Sequence, residues 1–237
     1  MAAMSLPEKA GQLIMPAIGE DAESLIADCH IGGFVFMGNG QRSADILTRG
    51  NSLQAASPRP LWFSMDSEAG IGARVADATI FPLNMAFGAA NNPAHTEFCG
   101  RVTARESRAL GLQIAFGPTV DVNTEPRNPI ISTRSYGDDP AQVTRLAQAF
   151  LAGARAEGVL STLKHFPGHG ASAGDSHNVL PEINITRAEM ETQHLEPYRV
   201  LARVAPLVMT AHLLSLIHIS EPTRLRRNSY AVFCLKK

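Results

Sequence analysis

Residues 164–177 read KHFPGHGASAGDSH and gather Lys164, His165, His169, Asp175 and His177, with three of the chain's eight histidines among them. Asp175 and His177 lie two positions apart, so in an extended segment both side chains share one face. There the carboxylate can accept the imidazole N–H, fix its tautomer and raise its pKa from an ordinary value of about 6.5. A ring kept substantially protonated near neutrality suits a general acid, a role that contributes about 10² to 10⁴ in rate. Lys164 and His165 close the preceding apolar stretch GVLSTL, and Pro167 with Gly168, Gly170 and Gly174 makes a loop between this pair and the Asp-His dyad. Two other readings of the same residues stay open. His165, His169, Asp175 and His177 are of the right types to hold zinc and so to make a metal-dependent hydrolase. Their spacing matches no zinc pattern and Lys164 would oppose a cation, so no metal is assigned. The stretch also reads as a solvated polar loop.

The elements that must position these groups follow a β/α rhythm. Ser5 and Glu8 form a capping-box pattern before a short helix, and residues 13–18 read as a strand followed by a helix over 21–29. Further strands are expected at 32–37, 61–65, 112–116, 159–166 and 206–212, separated by helices over 43–56, 94–110, 140–157 and 187–204. Runs that are apolar on both sides suit a parallel sheet covered by helices. Polar residues and glycines collect at the carboxyl ends of these strands, in MGNG, MDSEAG, FGPTVDVN, KHFPGHG and TAHL. That is where barrel active sites are built. The first strand lacks the Gly-rich turn of a doubly wound nucleotide-binding sheet. The expected fold is therefore an α/β (β/α)₈ TIM barrel with about six of its eight units present.

Strand-end residues outside the loop add candidates. Asp66, Asp121 and Arg134 stand where they could bind substrate hydroxyls or form structural ion pairs. Glu68 and Arg74 read as structural, His212 as a possible site residue, His30 and His95 as surface or core residues, and Trp62 as packing.

Composition narrows the classes of partner. With 237 residues, a formal net charge of -1 and 18% charged residues, the chain lacks the basic surplus of a polyanion binder, so no nucleic acid is expected. Cys29, Cys99 and Cys234 are too few and too scattered for a disulfide framework. The start MAAMSLPEKAG has no signal-peptide pattern and no apolar run is long enough to span a bilayer. The expectation is a cytoplasmic monomer, with no membrane partner, acting on a small ligand.

The rhythm breaks after VMTAHL. Residues 214–224, LSLIHISEPTR, resemble the translation of a sequencing adapter, so 1–213 is read as an incomplete barrel domain and 214–237 as a non-native tail. The competing reading is a genuine amphipathic C-terminal helix ending in RLRR.

KHFPGHG followed by DSH resembles the signature of the β-N-acetylglucosaminidases of glycoside hydrolase family 3. LPEKAGQLIM, IGGFVFMGNG, SMDSEAG, FGPTVDVNTEPRNPIISTRSYG and VMTAHL are similar to the same family, and together the matches span about residues 5–213. The resemblance implies a TIM barrel and retaining hydrolysis of terminal β-linked N-acetylglucosamine without a cofactor, in the trimming or recycling of bacterial cell-wall fragments. It implies that Asp66, Arg134, Lys164 and His165 bind sugar hydroxyls, and that His177 is the acid/base with Asp175 as its partner. A histidine acid/base departs from the usual pair of carboxyl groups, and it also allows phosphate as acceptor, so a glycoside phosphorylase stands as an alternative. Ala69 replaces the glycine typical of DSEGG. The family's Asp nucleophile is expected beyond the sixth strand, outside this sequence, and the chain as given is expected to be inactive, at most a sugar-binding remnant.

Overall fold

The structure, a computed structural model, describes residues 4–173, 183, 185–211, 213 and 232–233. Helix α1 (Leu6–Gly11) opens with the capping box expected of Ser5 and Glu8 and is followed by α2 (Ala22–Cys29). Then come β1 (Gly33–Phe36), α3 (Ser43–Ala56), β2 (Trp62–Asp66), α4 (Asn84–Ala90), α5 (Pro93–Ala109), β3 (Ile114–Phe116), α6 (Pro140–Ala156) and β4 (Leu160–Phe166). A broken helical segment follows, made of α7 (Arg187–Glu189), a π turn over Met190–His194, and α8 (Glu196–Leu201). It leads to β5 (Leu207–Thr210), and β6 (Val232–Phe233) completes the described strands. The two long helices start where their sequences say they must. Asn92 and Asp139 accept backbone N–H bonds from the first turns, and Pro93 and Pro140 occupy early helical positions where a missing donor costs nothing.

The strands form one sheet in the order β1-β2-β3-β4-β5-β6, with β1 to β5 parallel and β6 antiparallel to β5. The expected first strand is reduced to one parallel bridge, Ala17 with Val35. Its backbone still pairs with β1 through Gly32 N to Ile14 O and Val35 N to Pro16 O. Pro16, whose carbonyl faces β1, has no N–H to add a further ladder bond on that side.

Side chains alternate between the two faces of each strand. Phe34, Phe36, Phe63 and Met65 face α2 and α3 in one core, while Ala115 and Leu163 join α5 and α6 in the other. Burying each such side chain fully stabilises the fold by about 1.5–3 kcal/mol. The helices α5 and α6 cross closely at glycines: a Cβ on Gly100 would meet Phe150 O at 2.2 Å, and one on Gly153 would meet Glu97 O at 2.0 Å. The opposite face is lined by the strand residues Val35, Ile114, Phe116, Leu207 and Met209, with Met15 and Leu160 packed against them. This is the inner face of the barrel arc. Trp62 lies on the same row as Ser64 and Asp66 at the amino end of β2 and is 46% exposed, so the packing role expected of it is not what the structure shows. The inner face is open there among the described residues. No described helix is long and apolar enough to cross a membrane.

Candidate active site

Strand alternation puts Asp66 and Lys164 on the inner face, at the carboxyl ends of β2 and β4. They meet: Lys164 Nζ lies 2.7 Å from Asp66 Oδ1 and 2.7 Å from Glu68 Oε1. Arg134, at the end of the short 3-10 turn Ser132–Arg134, grips Glu68 through Nε at 2.8 Å and Nη2 at 2.5 Å. A planar guanidinium fork on a carboxylate fixes both partners more tightly than a point charge would. Arg74 donates from Nη2 to Asp66 Oδ2 at 2.9 Å and from Nη1 to Asn39 at 2.5 Å. Thus Asp66, Arg134, Lys164 and His165 converge, and Glu68 and Arg74, which sequence reasoning set aside as structural, tie them together. Glu68 sits two residues after Asp66, a spacing that could have flagged it.

His165 occupies the other side of Arg134. Its Nδ1 is 2.7 Å from Asp121 Oδ2, and its Nε2 is 3.5 Å from Arg134 Nη2. Asp121 is fully buried, and also accepts the backbone N–H of His169 at 2.6 Å. Of the two roles weighed for Asp121, the structure therefore shows the structural one, a buried carboxylate holding His165 and the loop backbone. The Lys164–His165 peptide is cis, as is Phe166–Pro167, and the ladder with β5 shifts register between Leu163 and Phe166. Gly170 lets the loop return against the segment after β3, since a Cβ there would meet Val122 O at 1.7 Å.

The charges settle one another. Burial pushes the Glu68 carboxyl up, but Lys164 and Arg134 overcome this and hold it well below the usual carboxylate range. Asp66 is likewise raised by burial and brought lower by Lys164. Burial lowers the Lys164 ammonium, and the two carboxylates more than restore it, so it stays charged although its side chain is only 2% exposed. Asp121 is held low against its own burial by His165 and by the His169 amide. The outcome is a set of charged donors and acceptors fixed in place before any ligand arrives, suited to hydrogen-bonding several hydroxyl groups at once.

The remaining histidines divide. His169 is buried, and among the described residues neither ring nitrogen has a hydrogen-bond partner; burial lowers its pKa. His194, on the π turn, was not singled out in the sequence. It is buried with Nε2 3.3 Å from Thr124 Oγ1, and burial lowers its pKa too. His30 caps α2 in a left-handed conformation and His95 is exposed on α5. Among the described residues no group of three His, Cys, Asp or Glu side chains is placed to hold a metal. Asp175, His177 and His212 lie outside the described residues, so the dyad is not seen. A separate apolar surface groove, lined in part by Phe81, Phe87 and Phe98, shares no residue with the ion-paired cluster.

The chain is similar in sequence and structure to known proteins. The beta-hexosaminidase A of Pseudoalteromonas piscicida is 37% identical over 212 residues, covering 84% of this chain and 36% of that protein. A solved glycoside hydrolase family 3 β-N-acetylglucosaminidase from Paenibacillus sp. str. FPU-7 superposes with a TM-score of 0.86 at 34% identity, covering 93% of this chain and 44% of the other. The structure of a beta-glucoside phosphorylase, BglX, bound to 2FGlc superposes at 0.85 with 28% identity, covering 95% of this chain and 42% of the other. The chain spans 36% to 56% of the length of the curated relatives it matches. The model of the glycosyl hydrolase family 3 N-terminal domain matches residues 5–232, and the chain belongs to that family.

Proposed function

We propose that this chain supplies the sugar-binding face of a retaining, exo-acting β-N-acetylglucosaminidase, hydrolysing terminal β-linked N-acetylglucosamine from glycoconjugates or cell-wall fragments. The observation that carries the reading is the convergence of Asp66, Lys164, Arg134 and His165 at the carboxyl ends of β2 to β4. In this reading the carboxylate of Asp66 accepts from sugar hydroxyls while Lys164 and Arg134 donate to them. His177, oriented by Asp175, gives its proton to the leaving oxygen as the bond to C1 breaks, then removes one from the water that releases the sugar. A carboxylate attacks C1 in the first step and departs in the second. Asp66, Glu68 and Asp121 are each held by a basic side chain, so the nucleophile is assigned to none of them. The cytoplasm and a role in peptidoglycan recycling complete the proposal, the latter supported by the likeness to bacterial hexosaminidases.

The test uses the full-length protein that carries these residues. It is expected to release the chromophore from an aryl β-N-acetylglucosaminide. His177→Ala is expected to slow a natural disaccharide by about 10² to 10⁴ while sparing aryl glycosides whose leaving groups need no proton. Equal losses on both substrates would remove His177 from the acid role. The likeness to a beta-glucoside phosphorylase favours one competing reading, in which phosphate replaces water as acceptor. A sugar 1-phosphate formed only when inorganic phosphate is supplied would establish it.

A further inference from the structure

Asp121 touches no candidate sugar-binding atom directly except through His165, yet it is fully buried and collects several donors. Its Oδ2 faces His165 Nδ1 at 2.7 Å, both oxygens lie 3.2–3.3 Å from the His165 amide, and Oδ1 takes the His169 amide at 2.6 Å. Its own carbonyl accepts from Ser135 Oγ at 2.6 Å, next to Arg134 in sequence. One residue thus ties the end of β4 to the turn that carries Arg134.

An ionised carboxylate only accepts hydrogen bonds. Nδ1 of His165 must therefore be the nitrogen that carries the proton, and in the neutral ring Nε2 is left with its lone pair on the side where Arg134 Nη2 stands 3.5 Å away. We propose that Asp121 is a positioning residue: it fixes the Nδ1–H tautomer and the orientation of His165, so that Nε2 is held as an acceptor facing Arg134 Nη2 across a long 3.5 Å contact, which a sugar hydroxyl donating to Nε2 would replace. Only the identity of the group that Nε2 meets rests on the sugar-binding reading above; the tautomer follows from the local geometry. The role differs from that of the Asp175-His177 dyad, where the imidazole moves a proton. Here the carboxylate holds the imidazole still.

The test is a nitrogen-15 spectrum of the imidazole groups of the 237-residue chain, taken at a pH where His165 is neutral, together with titration by N-acetylglucosamine. In the wild-type chain Nδ1 of His165 is expected to be protonated; an Nε2–H tautomer would overturn the proposal whether or not the sugar binds. Asp121→Asn places amide donors against the same N–H groups, and is expected to shift the ring toward the Nε2–H form and weaken the sugar about tenfold, the loss of about one hydrogen bond. Ser135→Ala removes the buried bond to the Asp121 carbonyl without touching its carboxylate, and is expected to lower the melting temperature while leaving tautomer and affinity unchanged. An unchanged tautomer in Asp121→Asn, or equal affinity losses in the two variants, would reduce Asp121 to a structural staple. If the wild-type chain shows the expected tautomer but binds no sugar, the sugar-binding reading fails and the tautomer result stands.

Discussion

Lys164 and His169 stand five residues apart on the same strand end and loop, both 2% exposed, and the fold treats them in opposite ways. Lys164 meets two carboxylates and remains charged, whereas neither ring nitrogen of His169 has a partner among the described residues and its burial disfavours the charged form. Desolvation is common to both, and the difference is how far an opposite charge outweighs it: two carboxylates meet Lys164 Nζ directly, whereas Asp121 only partly offsets the burial of His169. The paired end of the sheet is a site that keeps its charges dry and in register. His169 and His194 are both buried, and burial disfavours the charged form of each.

The contrast is broken most severely by removing the cation. Lys164→Met leaves Asp66 and Glu68 facing one another with only Arg74 and Arg134 to compensate, and removing one member of a buried pair costs about 3–5 kcal/mol. Chemical denaturation is expected to show a loss of that size. Adding Asp66→Asn and Glu68→Gln to Lys164→Met should restore part of it, because the stranded charges are then gone; no restoration would mean that the lysine contributes through packing rather than charge.

Acid titration separates the two regions with a smaller effect. For His169 and His194 the folded pKa lies below the unfolded value of about 6.5, so their stabilisation is complete above that pH and fades as the pH falls through the depressed folded values. For Asp66, Glu68 and Asp121 the folded pKa also lies below the unfolded value, here about 3.9 to 4.3, so that contribution persists to lower pH and is lost only as the carboxylates protonate. Stability against pH should therefore decline in two stages. His169→Phe with His194→Phe should erase the first and leave the second.

Local signals in the sequence carried much of the fold. Helix α3 runs over Ser43–Ala56 as expected, and Asn92-Pro93 and Asp139-Pro140 mark the starts of α5 and α6. Edge and breaker effects were harder to read. Pro16 cut the first strand to a bridge, the expected helix over 187–204 broke at a π turn before Pro197, and α4 was not foreseen because its seven residues have no side-chain cap. At the site, the neighbouring Lys164 and His165 were visible as strand-end chemistry. Glu68 was not, because its partner Arg134 is 66 residues away, and Arg74 gains meaning only once Asp66 is held by Lys164 from 98 residues away. Periodicity reports which face a residue takes, and only the register of the sheet reports what it meets there.

Calorimetric titration of the chain with N-acetylglucosamine, wild type against Asp66→Asn, decides whether the paired strand ends form a sugar site. Saturable binding to the wild type that falls at least about tenfold in Asp66→Asn, with the variant still folded, is the predicted result. Absence of binding to a folded wild-type chain, or equal affinity in both proteins, would contradict it.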